Sequence, residues 1–368
     1  MVLYCSLIVF VYVEGFSTFF SCLFCFYNFI SCVRIIVIMI LGEKMKKVNF
    51  AVSLGSNVTS IYKAGVGVVL SDKSAIVTTL KGKKEVAMYV GEDAITSGFE
   101  YKKVFSDGKI DFSLAELLLW EFFKKIEIGK RDGVVFFVAL DDMKFEAEYR
   151  NLAYSLGVNT VYVLPSILAT TYGFEIENIR KSFLLCDIGV NTEVAIINNG
   201  RLITGATIQN GGENIDNRIK EYILEEKGID LTKESAEKVK NELATLLPND
   251  ERSIVVGGFI KDTTEYSSVT ITSNEIFGIV VEEYSAISSA ILQVLSSCNN
   301  EINQDVKKHG IYLCGASSKI VGIEKFFKVK LDLDSISYRP EAVTMIGAGQ
   351  LLDSPIAMEK VILENGCN

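Results

Sequence analysis

The sequence predicts an α/β fold built from two similar halves, and three observations lead to this prediction. Apolar runs typical of buried strands alternate with stretches whose apolar residues have helical spacing. Two of the apolar runs, residues 50–55 and 183–189, each enter a glycine turn. Each turn is followed by further strand-like segments, so the two halves share one local order. A duplication of this kind places two glycine loops opposite each other across a cleft.

In the first half, a short apolar run ends at the turn Gly55-Ser56-Asn57. Further along, apolar residues at helical spacing, such as Leu114 and Leu118, predict a well-buried helix. The next predicted helix spans residues 145–156, and Gly157 is expected to end it. The predicted strands are 48–54, 67–70, 74–80, 134–140 and 158–164, and the predicted helices are 114–126, 145–156 and 166–172.

The second half opens on the strand that ends at Gly189. Ser273-Asn274-Glu275 is typical of a helix N-terminus and introduces a long helix. The predicted strands are 183–189, 191–197, 200–208, 253–257, 268–271 and 310–314, of which 253–257 and 268–271 form a hairpin. The predicted helices are 215–227, 233–247, 273–296, a short one near 318 and a closing one within 341–352.

Composition excludes several classes of function. The net charge of −9 over 368 residues argues against a nucleic-acid partner. The basic run Lys81-Gly82-Lys83-Lys84 is interpreted as a solvated hairpin tip and not as a binding patch. His309 is the single histidine, so a catalytic design built on a histidine pair is excluded.

The eight cysteines do not form a disulfide framework. Four of them lie in the first 44 residues, whereas Cys186 and Cys314 each end an apolar run, as small buried residues do. Cys22 and Cys25 have the spacing of a redox motif but lie in an apolar run without a βαβ context. This usage indicates a reducing cytoplasm.

Residues 1–44 form an apolar N-terminal extension unlike the rest of the chain. Residues 15–33 are uncharged and mostly apolar, which is long enough for a membrane-spanning helix. No basic region precedes them and no small-residue cleavage site follows, which argues against a signal peptide. Two interpretations stay open: a membrane anchor, or upstream sequence included by an early start codon, with Met45 as the ordinary start.

Residues 184–193 are the most informative segment for function. They predict a buried strand that enters a glycine turn with one carboxylate, Asp187. Backbone N–H groups in such a turn can cradle phosphate oxygens, while Asp187 can hold a magnesium-bound water. A strand followed by Asp-x-Gly is common in α/β proteins, so the motif needs companions.

Companion motifs follow in order, and together they resemble the MreB family of bacterial actins from about residue 48 to residue 352. The segments that carry the resemblance are Asp187-Ile188-Gly189 with Thr192-Glu193-Val194-Ala195, Gly211-Gly212-Glu213-Asn214-Ile215-Asp216, residues 236–243, Ile271-Thr272-Ser273-Asn274-Glu275, residues 310–315 with Gly322, and residues 341–352. Other actin-fold families, such as DnaK-type chaperones and FtsA, fit less well.

The resemblance implies an actin-like ATPase fold with two duplicated α/β domains around a nucleotide cleft. It implies domain I at residues 45–182 and about 336–357, domain II at 183–335, and a tail at 358–368. It also implies ATP and Mg²⁺ as cofactors, with Asp187 contacting the metal through water. The cofactor-binding residues that it implies are Gly55, Ser56, Asn57, Asp187, Gly189, Asn191, Thr192, Gly211, Gly212, Glu213, Lys240, Glu242, Gly315, Ala316 and Ser317.

The sequence departs from the family at positions that carry the chemistry. Ser53 stands where the first phosphate loop has an aspartate, which removes a charge that organises the magnesium waters. Pro165 and Ser166 occupy the family's acidic catalytic positions, so hydrolysis is expected to be slow or lost. The second loop is shorter and poorer in glycine, with Val190 where the backbone approaches phosphate.

Each surviving site residue also has a purely structural interpretation, which stays open at this point. Asp187, Gly211 and Gly212 would then serve only as turn residues, and Thr192 would be an ordinary strand residue. Lys240 and Glu242 would be solvated positions of a helix.

The leading expectation is an MreB-like cytoskeletal protein, cytoplasmic and membrane-associated, that forms head-to-tail filaments and is at most a weak ATPase. The alternative is a non-polymerising pseudo-ATPase that serves as a scaffold or adaptor of a membrane complex. A sugar or acetate kinase would need a substrate-side base, and no convincing one is found. Phe99, Tyr101 and Phe105 lie where the MreB group often carries a membrane-contacting loop, although a core role fits them equally.

Overall fold

The computed structural model describes residues 47–106, 108–174 and 181–365, so the apolar run at 15–33 lies outside the described residues. The strands are β1 (Phe50–Leu54), β2 (Val58–Lys63), β3 (Gly67–Lys73), β4 (Ala75–Lys81), β5 (Lys84–Val90), β6 (Lys102–Lys103), β7 (Phe105–Ser106), β8 (Lys109–Ile110), β9 (Gly133–Val138), β10 (Thr160–Pro165), β11 (Ser182–Ile188), β12 (Thr192–Asn198), β13 (Arg201–Ile208), β14 (Ile229–Leu231), β15 (Ser253–Ile260), β16 (Tyr266–Thr272), β17 (Ile311–Cys314) and β18 (Ser335–Ser337). The helices are α1 (Glu92–Thr96), α2 (Phe112–Lys125), α3 (Glu146–Ser155), α4 (Ser166–Gly173), α5 (Gly212–Lys227), α6 (Lys233–Leu243), α7 (Ser273–Ser296), α8 (Asn300–His309), α9 (Ile323–Leu331), α10 (Val343–Asp353) and α11 (Pro355–Glu364), with 3₁₀ segments at Leu140–Phe145 and Ala316–Lys319.

The first half is built on a five-stranded sheet in the order β3-β2-β1-β9-β10. β1, β2 and β3 form an antiparallel meander, while β9 runs parallel to β1 on its other side and β10 parallel to β9. Every residue of β9 is buried, as expected for a central parallel strand that is covered on both faces.

The second half is built on a five-stranded sheet in the order β13-β12-β11-β17-β18. Here β11, β12 and β13 form the antiparallel meander, and β17 and β18 continue in parallel beyond β11. Order and direction match the first sheet strand for strand. The predicted duplication, with one glycine turn following the first strand of each sheet, is confirmed.

Each half has a hydrophobic core of its own. The first core includes Phe136 and Tyr149, and the second includes Leu184 and Ile287. Among the described residues, α7 is the one helix whose length and composition would allow it to cross a membrane. Half of its most apolar stretch is buried inside the fold. It packs as a core helix of the second half, with Tyr284 and Ile287 in the core.

A smaller sheet accompanies each half. In the first, β4 and β5 form a hairpin in which Lys81 pairs with Lys84 around Gly82, so the predicted hairpin tip is confirmed. In the second, β15 and β16 form the predicted hairpin, with β14 added at the edge of β15.

Several sequence predictions were wrong in detail. β5 and α8 were not predicted, because β5 is mostly exposed and α8 buries only Val306, so neither has a strong apolar period. α6 ends at Leu243, short of residue 247, since Ala244 turns to an extended conformation. The helix predicted near 318 is a 3₁₀ turn, and α9 begins only at Ile323. Most of the predicted tail belongs to α11, which buries Val361.

Candidate functional site

The second glycine loop joins β11 to β12 and is closed by its own backbone. The N–H of Gly189 donates to the carbonyl of Asn191 at 2.9 Å. The N–H of Gly212, at the start of α5, donates to the carbonyl of Gly189 at 2.8 Å. The hydroxyl of Thr192 donates to the carbonyl of Asn210 at 2.6 Å. The fold therefore brings the loop and the Gly211-Gly212 segment together as the resemblance implied.

Asp187 lies next to the end of β11, opposite Cys314 on the parallel strand β17. Burial raises the pKa of Asp187 to about 6, and the hydrogen bond from the Cys314 thiol lowers this pKa in part. Gly315 has φ +81°, and a Cβ at that position would lie 2.4 Å from Asp187 Oδ1. Gly315 is therefore required both by its backbone conformation and by the close approach of the carboxylate.

Lys240 reaches the start of α5 from α6. Its Nζ donates to Asp216 Oδ2 at 2.7 Å and to the carbonyl of Gly212 at 3.2 Å. Burial raises the pKa of Asp216 to about 6, and the charge of Lys240 opposes that rise. A Cβ at Gly212 would lie 2.6 Å from Ser317 Oγ, so the 3₁₀ segment packs against the same point. Lys240 is not a solvated helix residue.

Two neighbouring buried residues of α7, which the sequence did not single out, hold this site in place. Glu283 accepts hydrogen bonds from the N–H of Gly211 at 2.8 Å and from the Asn214 amide at 2.8 and 3.0 Å. The hydroxyl of Tyr284 donates to the carbonyl of Ser317. The only available signal was a carboxylate at a buried helical position, which is rare without partners.

Glu193 on β12 connects the two halves. It is 7% exposed, and it accepts hydrogen bonds from the N–H of Leu140 and, at 3.1 Å, from the hydroxyl of Ser166. Burial raises the pKa of Glu193 to about 8, and the negative charge of Asp187 adds to the rise.

The two residues that the resemblance assigned to the family's acidic positions lie at the start of α4. Pro165 is buried at the end of β10, and Ser166 opens the helix with its hydroxyl directed at Glu193. No carboxylate is contributed from either position. A carboxylate of the opposite half stands beside them instead.

The first glycine loop lies between β1 and β2. The N–H of Gly55 donates to the carbonyl of Val58 at 3.1 Å, and the hydroxyl of Ser74 donates to the carbonyl of Gly55 at 2.5 Å. Asn57 accepts a hydrogen bond from Lys103 at 3.1 Å. Ser53 is half-buried on β1, where it pairs with Ser60 of β2. These bonds hold the turn in shape.

Three of the predicted site residues do not face the second glycine loop: two are exposed, and the third forms an ion pair with another side chain. The Glu213 carboxylate forms an ion pair with Lys233. Glu242 is exposed, and its backbone carbonyl accepts a hydrogen bond from Arg252 at 2.6 Å. Ala316 is exposed at the start of the 3₁₀ segment.

The three aromatic residues of the expected membrane-contacting loop have different positions. Phe99 is 54% exposed and stacks on Tyr89 with ring centroids 6.0 Å apart. The hydroxyl of Tyr101 donates to Glu234 at 3.5 Å, which connects the two halves a second time. Phe105 is a buried member of the first core.

The residues at the second loop fit a nucleotide phosphate with water-mediated metal contact. A Cβ at Gly211 would lie 2.4 Å from the carbonyl of Val190 and 2.8 Å from that of Gly189, so only glycine lets the backbone approach the loop this closely. No group of three or more metal-ligating side chains occurs within the described part of the chain. Asp187 is the carboxylate at this loop that could contact Mg²⁺ through water.

The sequence was compared with known protein families and with solved structures. The sequence profile of the MreB/Mbl protein family matches residues 47–360. The chain belongs to the MreB/Mbl family. Among its relatives, the cell shape-determining protein MreB of Escherichia coli strain K12 is 26% identical over 294 residues, which are 75% of this chain and 85% of that protein. The cell shape-determining protein Mbl of Bacillus subtilis strain 168 is 23% identical over 321 residues, 83% of this chain and 96% of that protein.

Solved structures of two other proteins share the fold. MreB5 of Spiroplasma citri bound to ADP has a TM-score of 0.77 and 23% identity, over 88% of this chain and 100% of that chain. The same protein bound to AMPPNP has a TM-score of 0.75 and 23% identity, over 84% and 97%. The MamK double helical filament has a TM-score of 0.67 and 20% identity, over 83% and 98%. The actin-like ATPase fold expected for this divergent MreB/Mbl member is confirmed.

Proposed function

We propose that this protein is a cytoskeletal MreB/Mbl member that assembles head to tail into filaments that act in cell shape or intracellular organisation. Membership of the family supports the role, because the relatives in E. coli and B. subtilis are named for cell-shape determination. The similarity to the MamK filament supports self-association. A head-to-tail contact whose rotation does not close produces a filament.

The proposed nucleotide cycle is weak. Asp187, the loop at Gly189 and the close pair Gly211-Gly212 support binding of ATP with Mg²⁺, and the MreB5 structures with AMPPNP and ADP support the same ligand class. A bound triphosphate would supply the γ-phosphoryl group, and the chain would supply amide donors and one carboxylate. Loss of a positioning group costs about 10²–10³ in rate, so we expect hydrolysis to be slow or absent.

The contact between Ser166 and Glu193 is the observation that carries the weak cycle. At a position where the resemblance implies a catalytic acid, the hydroxyl of Ser166 donates a hydrogen bond to the Glu193 carboxylate of the opposite half. A neutral hydroxyl is far too weakly basic to take a proton from a water molecule, so position 166 supplies no general base.

The cellular setting is part of the proposal. We propose that the protein acts in the cytoplasm at the membrane surface, and the exposed side chain of Phe99 supports one contact from its first half. The domain limits that go with it are 45–182 with about 336–357 for one domain and 183–335 for the other.

The test is sedimentation of the full chain with magnesium and ATP, ADP or no nucleotide, followed by electron microscopy of the pellet to separate filaments from aggregates. We expect filaments in all three conditions, with phosphate release near background. Filaments that require ATP, with steady phosphate release, would refute the weak cycle and leave the filament role intact. No filaments in any condition would refute the filament role.

A non-polymerising scaffold or adaptor is the alternative, and Ser53 with Pro165 favours it because both positions have lost a carboxylate. It predicts a monodisperse protein in the sedimentation experiment. It also predicts a stable complex of defined stoichiometry with a membrane-protein partner.

A further inference from the structure

Four cationic side chains lie together at one edge of the first sheet, at the end of β1 away from its glycine turn. β1 begins shortly after Lys47, and the parallel strand β9 begins shortly after Lys130 and Arg131. β2 runs antiparallel to β1 and ends at Lys63, which pairs with Phe50. Because the three strands are neighbours in the order β2-β1-β9, these segments meet at the same end of the sheet. The four cationic residues are all exposed, and together they form the basic edge.

A tight turn presents two of these cations. The N–H of Asp132 donates to the carbonyl of Gly129 at 3.0 Å, which closes a four-residue turn. Lys130 and Arg131 are its two central residues. The carboxylate of Asp132 points back toward the sheet, where it accepts hydrogen bonds from the N–H of Gly129 at 2.9 Å and from the side-chain amide of Asn49 at 2.6 Å. The negative charge of the turn is therefore held by hydrogen bonds, and its two cations are left at the tip.

Asn49 fixes this turn against the start of β1. Its side-chain oxygen accepts from the N–H of Gly133 at 2.8 Å, and its backbone N–H donates to the carbonyl of Gly133 at 2.9 Å. A Cβ added at Gly133 would lie 2.1 Å from the carbonyl of Lys47, so the two chain segments are in direct backbone contact. On the other side of β1, the carbonyl of Asn49 accepts from the N–H of Ala64, next to Lys63, at 2.9 Å. Hydrogen bonds of the sheet edge therefore set the positions of the four cations.

The positive charge of the basic edge is not neutralised by the part of the protein that the structure describes. None of its four side chains forms an ion pair there. Of the carboxylates on adjoining segments, Asp353 accepts hydrogen bonds from the hydroxyl of Tyr62 at 3.0 Å and from the N–H of Gly65 at 2.7 Å. Glu127 is exposed, but an exposed lysine pair at 124–125 precedes it. The edge is thus a local concentration of positive charge in a chain whose net charge is −9.

An anionic membrane surface fits this charge, and the path of the chain favours this occupant. Lys47 is the first described residue, and residues 34–46 join it to the apolar run at 15–33 with three more cations, Arg34, Lys44 and Lys46. Lysine and arginine beside the cytoplasmic end of a spanning segment are the usual pattern. Because the whole chain is net negative, an anionic surface favours the orientation that turns the basic edge toward it.

We propose that the basic edge docks the first half of the protein onto anionic lipid headgroups. The inference rests on the membrane setting of the proposed function and deepens it, because it names the face and the lipid class. This face is separate from the contact at Phe99. The glycine turn at the other end of β1 then lies about 15–20 Å further from the lipid and stays accessible.

Acetylation of lysines in the full chain on lipid nanodiscs tests this inference. The nanodiscs contain phosphatidylcholine alone or phosphatidylcholine with about 30% phosphatidylglycerol, and mass spectrometry gives the acetylation rate of each lysine. The readout is the rate at Lys47, Lys63 and Lys130 relative to that at Lys238, which is exposed on α6. We expect the three rates to be about fivefold lower or more on the anionic nanodiscs than on the neutral ones. Because the contact is electrostatic, the difference should disappear in about 0.5 M NaCl.

A double variant removes the two cations at the turn. Lys130→Gln with Arg131→Gln changes exposed side chains, so its urea unfolding should match the wild type. On anionic nanodiscs, the acetylation rates of Lys47 and Lys63 in this variant should rise by about fivefold toward their values on neutral lipid, because each cation near an anionic surface contributes about that factor.

The second half offers a matched control. Lys307 and Lys308 are an exposed pair at the end of α8, just before β17, and β17 holds the place in the second sheet that β9 holds in the first. Lys307→Gln with Lys308→Gln removes the same charge as the turn variant. It should leave the protection of the basic edge by anionic lipid unchanged.

Three results would overturn the inference. If the chain is bound to both kinds of nanodisc and the basic edge is acetylated equally on them, the docking face is wrong and the membrane setting stands. If the chain binds neither kind, the membrane setting of the proposed function fails and the inference fails with it. If anionic lipid protects Lys308 as strongly as Lys130, the contact is not specific to the first half.

Discussion

Lys240 and Asp216 form an ion pair inside the second half, with Nζ 2.7 Å from Oδ2 and side chains 10% and 8% exposed. The pair joins α6 to α5 and adds a bond to the carbonyl of Gly212. Asp216 Oδ1 is buried without a hydrogen-bond partner, so Lys240 is the group that balances this carboxylate. Stability and the shape of the candidate site therefore depend on the same side chain.

Removal of one partner of this ion pair should be costly. We expect Lys240→Met to lower the free energy of unfolding by about 3–5 kcal/mol, because it leaves a buried carboxylate without its cation. Urea unfolding measures the change. Lys238→Met, at an exposed position of the same helix, should cost less than about 0.5 kcal/mol. The double variant Lys240→Met with Asp216→Leu should be more stable than Lys240→Met alone; equal or greater loss would show that the pair is not the cause.

Glu283 should matter far more than its neighbour Glu282. The Glu283 side chain is buried and accepts three hydrogen bonds at the start of α5, whereas the Glu282 side chain is 70% exposed and pairs with Arg218 at the surface. We expect Glu283→Ala to cost about 2–4 kcal/mol, since it leaves buried donors unsatisfied, and Glu282→Ala to cost at most about 1 kcal/mol. Chemical unfolding of both variants gives the comparison, and similar costs would contradict it.

Gly315 should tolerate no side chain. A Cβ there meets both left-handed backbone strain and the Asp187 carboxylate, whereas Gly82 has φ +68° with nothing within 4 Å of the added atom. We expect Gly82→Ala to cost about 1–2 kcal/mol from strain alone. Gly315→Ala should cost clearly more and should also weaken binding of a fluorescent ATP analogue. Equal costs for the two variants would mean that β17 shifts to make room.

Asp187 should give the protein a stability that falls with rising pH. Its folded-state pKa is about 6 and its ordinary value 3.8, so between those pH values the folded chain holds a proton that the unfolded chain has released. Stability from this group is therefore greatest near pH 4 and is lost by about pH 6, by up to about 3 kcal/mol. Thermal or urea unfolding of wild type and Asp187→Asn between pH 4.5 and 7 measures it. The free energy of unfolding of Asp187→Asn should fall less between these pH values than that of the wild type. If the two proteins lose stability in parallel, other groups cause the pH dependence.

The same substitution tests the ligand role of Asp187. If the carboxylate orders magnesium waters, Asp187→Asn should remove the magnesium dependence of ATP-analogue binding. Glu225→Asn, which changes an exposed carboxylate of α5, serves as the matched control. A magnesium dependence that survives in Asp187→Asn would place the metal elsewhere.

Much of the site could be predicted because its signals are local. The turn at Gly189, the glycine pair at 211–212 and the strand that ends at Gly315 were each found from residues adjacent in sequence, and the structure brings them together. Lys240 and Glu242 came from the same helical motif, yet only Lys240 is turned inward, with Glu242 exposed. A motif predicts that a helix is present more securely than which of its polar residues face a site.

The sequence by itself determined the α/β class, the duplication and the order of the loops, because apolar periodicity, glycine turns and helix N-termini act over a few neighbouring residues. Only the tertiary structure decided that Glu193 meets Ser166, 27 residues away, and that Glu283 meets Gly211, 72 residues away. Such contacts depend on how two sheets and their helices pack. The sequence alone does not show whether a given carboxylate is exposed to solvent or buried between two domains. The physical reason is that the burial of a carboxylate and its hydrogen-bond partners are properties of the folded chain. They determine the charge state of the carboxylate more strongly than the residues next to it in sequence.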